Sequence, residues 1–201
     1  MTDNASIFYR IGNKLYVNIT NRCPCDCVFC IRGISDSVGD AATLWLDCDP
    51  AIDEIKAAFP DDLTDITEIV FCGYGEPMER ADDVIEICEF IKSKTQLPLR
   101  LNTNGLVKLS NPEFDLSRVC VFDCVSVSLN ADNAADYQKL TRSDFGEVSF
   151  DSMLSFAKEI KAYTNVCFSV VDVEGVNIEK CKIVSEKAGI SLRIRNYDTN
   201  F

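Results

Sequence analysis

Apolar, β-branched segments alternate along this chain with segments whose apolar residues recur at helical spacing, and the alternation runs from end to end. Residues 14–20 (KLYVNIT), 67–72 (TEIVFC), 98–103 (PLRLNT), 123–129 (DCVSVSL), 165–173 and 191–196 (SLRIRN) read as six strands. Between them, residues 50–59 carry Ile52, Ile55 and Phe59 at helical spacing, with Pro50 tolerated in the first turn. Residues 81–94 place Val84, Ile87, Cys88 and Ile91 on one stripe, and 149–163 do the same with Met153, Phe156, Ile160 and Tyr163. Residues 178–188 form the last helix, stopped by Gly189 where a left-handed cap favours glycine. A short or irregular helix is expected over 112–118.

Six strands with five crossovers predict a mostly parallel sheet, because parallel neighbours need a connection of roughly a dozen residues or more. Helices then cover the outer face of that sheet. Six βα units fall short of the eight that close a full barrel, so the expected fold is α/β, a curved partial (βα)6 barrel with functional loops at its C-terminal strand ends. No repeat, low-complexity tract or linker interrupts the pattern, and 201 residues suit one domain spanning 1–201. The polar stretch 35–49 is the expected mobile loop.

Composition then removes several function classes. A net charge of −12 and the lack of a basic run weigh against nucleic-acid binding. No apolar run reaches the ~18 residues of a membrane span, and the start MTDNASIFYRIGNK lacks the basic and apolar regions of a signal peptide. The expectation is a cytoplasmic protein without a membrane partner. In a reducing compartment its 11 cysteines would serve as buried hydrophobes or metal ligands. With no histidine, site chemistry must run on sulfur and carboxylate.

Residues 23–30, CPCDCVFC, follow the first strand directly. Cys23, Cys27 and Cys30 have the spacing C-x3-C-x2-C, with Cys25 as an additional thiol inside the gap. Three thiolates on a tight loop suit an iron-sulfur cluster with one iron left open. Structural zinc, with Cys25 as fourth ligand, is the alternative and would need a cramped geometry. Cys72, Cys88, Cys120, Cys124, Cys167 and Cys181 fall in strands or on apolar helix faces and read as core packing, while Cys48 stays open.

The cysteine loop, with Phe29 just before its last cysteine, resembles the signature of the radical S-adenosylmethionine (SAM) superfamily. GYGEP at 73–77 stands where that superfamily carries its GGE-type motif, TNG at 103–105 follows the third strand, and SLNA at 128–131 resembles the polar end of the fourth. The stretch 10–32 (RIGNKLYVNITNRCPCDCVFCIR) resembles radical SAM proteins associated with TatD-family nucleases. The resemblance implies a [4Fe-4S] cluster on Cys23, Cys27 and Cys30, and SAM as cofactor, cleaved reductively to a 5'-deoxyadenosyl radical that acts on an unidentified substrate. It further implies SAM contacts at Phe29, Gly73, Tyr74, Gly75, Glu76, Asn104, Ser128 and Asn130. An electron donor such as flavodoxin or ferredoxin would be needed, and a TatD-like nuclease is a candidate partner. A non-catalytic cluster- or zinc-binding adaptor for such a nuclease is the other reading. Two positions depart from the common pattern: Tyr74 separates the two glycines, and Asn130 stands where aspartate is frequent.

Overall fold

The computed structural model describes residues 5–197. Strands β1 (Phe8–Ile11), β2 (Lys14–Val17), β3 (Glu68–Phe71), β4 (Leu99–Thr103), β5 (Cys124–Ser128), β6 (Asn165–Asp172) and β7 (Ser191–Asn196) form one sheet in sequence order. β1 and β2 are an antiparallel hairpin, and every later pair is parallel. Helices α1 (Ile52–Ala58), α2 (Ala81–Lys94), α3 (Val107–Ser110), α4 (Ala134–Thr141), α5 (Val148–Ile160) and α6 (Ile178–Ala188) occupy the crossovers. Three 3-10 turns, at Ile31–Gly33, Pro77–Arg80 and Leu116–Val121, complete the described elements.

Six parallel strands agree with the expected partial (βα)6 barrel, and β1 is an addition to it. A two-residue turn, Gly12-Asn13, makes that hairpin, with Gly12 at a φ of +59° that an ordinary side chain would resist. α4 is a second addition, and the expected irregular helix over 112–118 is a 3-10 turn displaced to Leu116–Val121.

Side chains alternate along each strand, so one face of the sheet packs on helices and the other lines a concavity. Leu15, Val17, Ile69, Phe71, Leu99, Leu101, Val125, Val127, Phe168 and Val170 join Val84, Ile87 and Ile91 of α2 and Met153, Phe156 and Ile160 of α5 in one buried core. Each such side chain contributes roughly 1.5–3 kcal/mol by leaving water. The opposite face is polar. The register sets Arg100 beside Cys124, Asn102 beside Ser126, Ser126 beside Cys167, Ser128 beside Ser169, and Ser169 beside Arg193.

The 35–46 segment is anchored rather than loose. Asn18 Nδ2 donates to Leu44 O at 2.9 Å and Asn21 Nδ2 to Leu46 O at 2.6 Å. Tyr74 Oη donates to Ser35 O, and Leu44 is buried against Tyr9 and Tyr74. Among the described residues, no helix is long and apolar enough to cross a membrane.

Candidate functional site

β2 delivers the chain into the cysteine loop at the C-terminal end of the parallel sheet, where open α/β sheets place their ligands. Pairing with α4 holds that loop down. Asp26 N donates to Thr141 O and Val28 N to Leu140 O, each at 2.9 Å, and Asp144 N returns to Pro24 O at 2.9 Å. Arg142, left-handed at φ +48°, ends α4 and sets its guanidinium 3.3 Å from Asp26. From the other side, Arg32 Nη1 donates to Asn21 O at 3.0 Å, and its guanidinium lies 5.9 Å over the Trp45 ring.

One cavity of about 540 Å³ opens over this end of the sheet. Cys23, Cys27 and Cys30 line it together with Phe29, Gly73, Tyr74, Gly75, Glu76, Asn104, Ser128 and Asn130. Every site residue expected from the sequence therefore meets at one place. Cys25 lines the same cavity, is buried, and touches the Cys23 and Cys27 thiols. Those two contacts, with burial, push its thiol far up, while contact with Cys25 pulls Cys27 down, helped by Arg32. Among the described residues, no three cysteine, aspartate or glutamate side chains converge as a single bound ion requires.

Glu76 is the organising carboxylate. It is 6% exposed, and its oxygens accept from Met78 N at 3.1 Å, Thr103 Oγ1 at 2.7 Å and Asn104 N at 2.7 Å. It thus ties the GYGEP loop to the end of β4. Burial pushes its carboxyl up to about 7 against the pull of these donors. Asn104 Oδ1 accepts from Leu106 N at 2.9 Å, and its Nδ2 points to Cys25 Sγ at 4.0 Å.

The glycines of GYGEP are required by protein packing. A Cβ on Gly73 would stand 2.1 Å from Asn18 Oδ1, and one on Gly75 would stand 2.3 Å from Thr20 O. Both still line the cavity, but the absent side chains are explained by the segment that follows β2 beside them. Tyr74 turns its ring edge-on to Trp45 at 4.9 Å and fixes the 35–46 segment.

Asn130 is 4% exposed, left-handed at φ +52°, and its Oδ1 has no hydrogen-bond partner among the described residues. A buried polar atom left unpaired at a cavity wall is costly unless a ligand or water completes it. Tyr137 on α4, 1% exposed, also lines the cavity, and its hydroxyl is pushed up by burial and by the nearby Cys25, Cys27 and Glu76. Sequence reasoning missed Tyr137 together with its helix, although Asn133 ahead of an A-x-x-Y-x-x-L run is a capping signal.

The remaining cysteines divide. Cys88 and Cys181 are in the core as expected, whereas the expected core role of Cys120 is corrected: it is exposed on the 3-10 turn Leu116–Val121, which buries Leu116 and Val119 instead. Cys72, Cys124 and Cys167 are only partly buried, with the Cys124 and Cys167 thiols in mutual contact on the concave face. Their expected core role is corrected by strand alternation, which turns them away from the helices.

Comparison with known proteins is consistent with this geometry. Residues 17–186 match the family model of the Radical SAM superfamily. A GTP 3',8-cyclase from Mycobacterium sp. (strain KMS) is 28% identical over 141 residues, covering 68% of this chain and 37% of that relative. A probable GTP 3',8-cyclase from Methanothermobacter thermautotrophicus is 32% identical over 137 residues, covering 67% and 40%. The chain thus spans about two-fifths of the length of these curated relatives. Among solved structures, Streptococcus suis SuiB bound to S-adenosylmethionine has a TM-score of 0.68 at 14% identity, covering 94% of this chain and 41% of that one. TYW1 with a lysine-pyruvate adduct bound gives 0.65 at 14%, covering 93% and 65%. At such identity these two likenesses show the fold alone.

Proposed function

The chain belongs to the radical SAM superfamily, and from that membership we propose that it is an enzyme whose cavity holds a [4Fe-4S] cluster on Cys23, Cys27 and Cys30, with SAM beside it. When bound, the cluster supplies one electron and an open iron, and SAM supplies the carbon radical that abstracts hydrogen from a substrate. The residues present fit both groups. The three thiols of the C-x3-C-x2-C register face one cavity, and the unpaired Asn130 Oδ1 offers an acceptor in its wall. That shared cavity is the observation carrying the proposal.

Around the cofactor, the chain's own residues would bind and orient. The backbone of Gly73–Glu76 would meet the SAM amino group, Ser128 and Asn130 its ribose or carboxylate, and Phe29 its adenine. Asn104 would complete the pocket between the cysteine loop and β4. Glu76 holds the GYGEP loop against the end of β4 through three hydrogen bonds, so its contribution is to position rather than to touch. Cys25 lies inside the C-x3-C-x2-C gap and would support the loop without ligating.

An external one-electron donor such as flavodoxin or ferredoxin is required by this chemistry. The resemblance of 10–32 to TatD-associated radical SAM proteins supports a TatD-like nuclease as partner; in the fold that stretch is the β1–β2 hairpin and the cysteine loop. From the GTP 3',8-cyclase likeness we carry over the cofactor chemistry and not the substrate. The test is anaerobic reconstitution followed by dithionite reduction with SAM. The wild type is expected to bind iron and to form 5'-deoxyadenosine and methionine in equal amounts, with neither from Cys30→Ala. A chain that binds iron and SAM but makes no 5'-deoxyadenosine, with or without cell extract, would point to the adaptor reading.

A further inference from the structure

The cavity that starts at the cysteine loop also reaches β7, where Arg193 and Arg195 line it. Both sit on the concave face, since their register partners Ser169 and Val171 line the same cavity. They are unlike the other cations of that face. Glu68 neutralises Arg100 at 3.0 Å and Lys14 at 2.7 Å, whereas no ion pair or side-chain hydrogen bond of Arg193 or Arg195 exists among the described residues. Arg195 is exposed along the open edge of the sheet and also lines the cavity, where burial and the like charges of Arg193 and Arg100 draw its guanidinium below the ordinary arginine range.

Two neighbouring guanidinium groups with no carboxylate paired to them among the described residues, in a chain of net charge −12, are a local cost unless something anionic completes them. Guanidinium forks match planar or tetrahedral oxyanions through paired N–H donors. The candidate SAM contacts lie in the cysteine loop and at or beyond the ends of β3, β4 and β5, so β7 is left for another molecule. We propose that Arg193 and Arg195 are the substrate-binding pair of this site, and that the substrate carries an oxyanion, a phosphate or a carboxylate, which they grip. As the substrate class of the cavity described above, this rests on the radical SAM reading. Ser169, 3% exposed and beside Arg193, offers a hydroxyl next to the same place.

The test uses the full chain after reconstitution, titrated calorimetrically with sodium pyrophosphate and with succinate at matched ionic strength. SAM affinity and iron content are measured on the same samples. The wild type is expected to bind one of the two probes about tenfold or more tighter than Arg193→Gln/Arg195→Gln, with SAM affinity and iron unchanged. Preference for pyrophosphate assigns a phosphate substrate, and preference for succinate a carboxylate one. Arg193→Lys/Arg195→Lys, which keeps the charge, is expected to retain partial binding and controls for misfolding of the glutamine variant. Equal probe affinity in wild type and both variants would overturn the proposal while leaving the cofactor reading intact. So would a loss of SAM affinity parallel to that of the probe, since the pair would then serve the cofactor. Probe binding that needs the two arginines in a chain holding neither cluster nor SAM would support the anion site and sink the cofactor reading instead.

Discussion

Gly75 donates its N–H to Thr20 O at 2.9 Å, and a Cβ there would overlap that carbonyl at 2.3 Å and Arg22 O at 2.6 Å. Gly75→Ala is therefore expected to cost about 1–3 kcal/mol of stability by overpacking, seen as a lower denaturant midpoint in the absence of any cofactor. Glu76 makes a second residue-scale prediction. Its carboxyl, raised from 4.5 to about 7 by burial, keeps a proton in the folded chain that the unfolded chain releases in that interval. Its contribution to stability is thus full below about pH 4.5 and is lost as pH rises through about 7. Wild type minus Glu76→Gln, followed by thermal unfolding, should show that loss between these limits and a flat difference above. That Cys23, Cys27 and Cys30 share one cavity wall was legible because their spacing is local. The bracing role of Glu76 was not, because its partners Thr103 and Asn104 are 27 and 28 residues away and meet it only once β3 and β4 pair.

Two elements carry the site, and both escaped the periodicity of the chain. α4 is eight residues long, and it ends on a left-handed Arg142 where a glycine would have announced the stop. Its cap is specific: Asn133 Oδ1 accepts from Asp136 N at 3.0 Å, and Asn133 Nδ2 donates to Asp136 Oδ2 at 2.7 Å. Asn133→Ala should cost about 1 kcal/mol and, because α4 supplies two carbonyls to the cysteine loop, should hasten iron loss to a chelator after reconstitution. Residues 35–49 read as a mobile loop because their composition is polar; the anchors that hold 35–46, Asn18, Asn21 and Tyr74, lie elsewhere in the chain. Trp45, the only tryptophan, packs on Tyr74 and donates to Asp36 at 3.0 Å, so its fluorescence reports this segment. Tyr74→Ala should red-shift its emission and increase quenching by acrylamide, with little change in far-ultraviolet circular dichroism.

Across the whole molecule, strand order was legible because six apolar runs separated by crossovers allow few arrangements other than a parallel sheet. β1 was not read, although Gly12-Asn13 between two short alternating runs is a hairpin signal. The polar concavity was also written in the alternation of Arg100, Asn102, Cys124, Ser126, Ser128, Arg193 and Arg195, but strands this short read first as apolar runs. Half-buried sheets with a solvated inner face explain why Cys124 and Cys167 are not core. Within that face, Arg100 gives Glu68 two hydrogen bonds at 3.0 Å and is almost wholly buried. Arg100→Met, which strands Glu68 with Lys14 alone, is expected to cost roughly 3 kcal/mol in chemical denaturation.

The central claim is that SAM and a cluster on Cys23, Cys27 and Cys30 meet in one cavity. Electron paramagnetic resonance of the reconstituted, dithionite-reduced chain, recorded with and without SAM, tests it most directly. The account predicts a reduced-cluster signal in wild type and in Cys25→Ser, with g-values that shift when SAM is added, and no signal in Cys23→Ser, Cys27→Ser or Cys30→Ser. A wild-type signal that is identical with and without saturating SAM would contradict it, as would a signal that survives loss of any of those three cysteines.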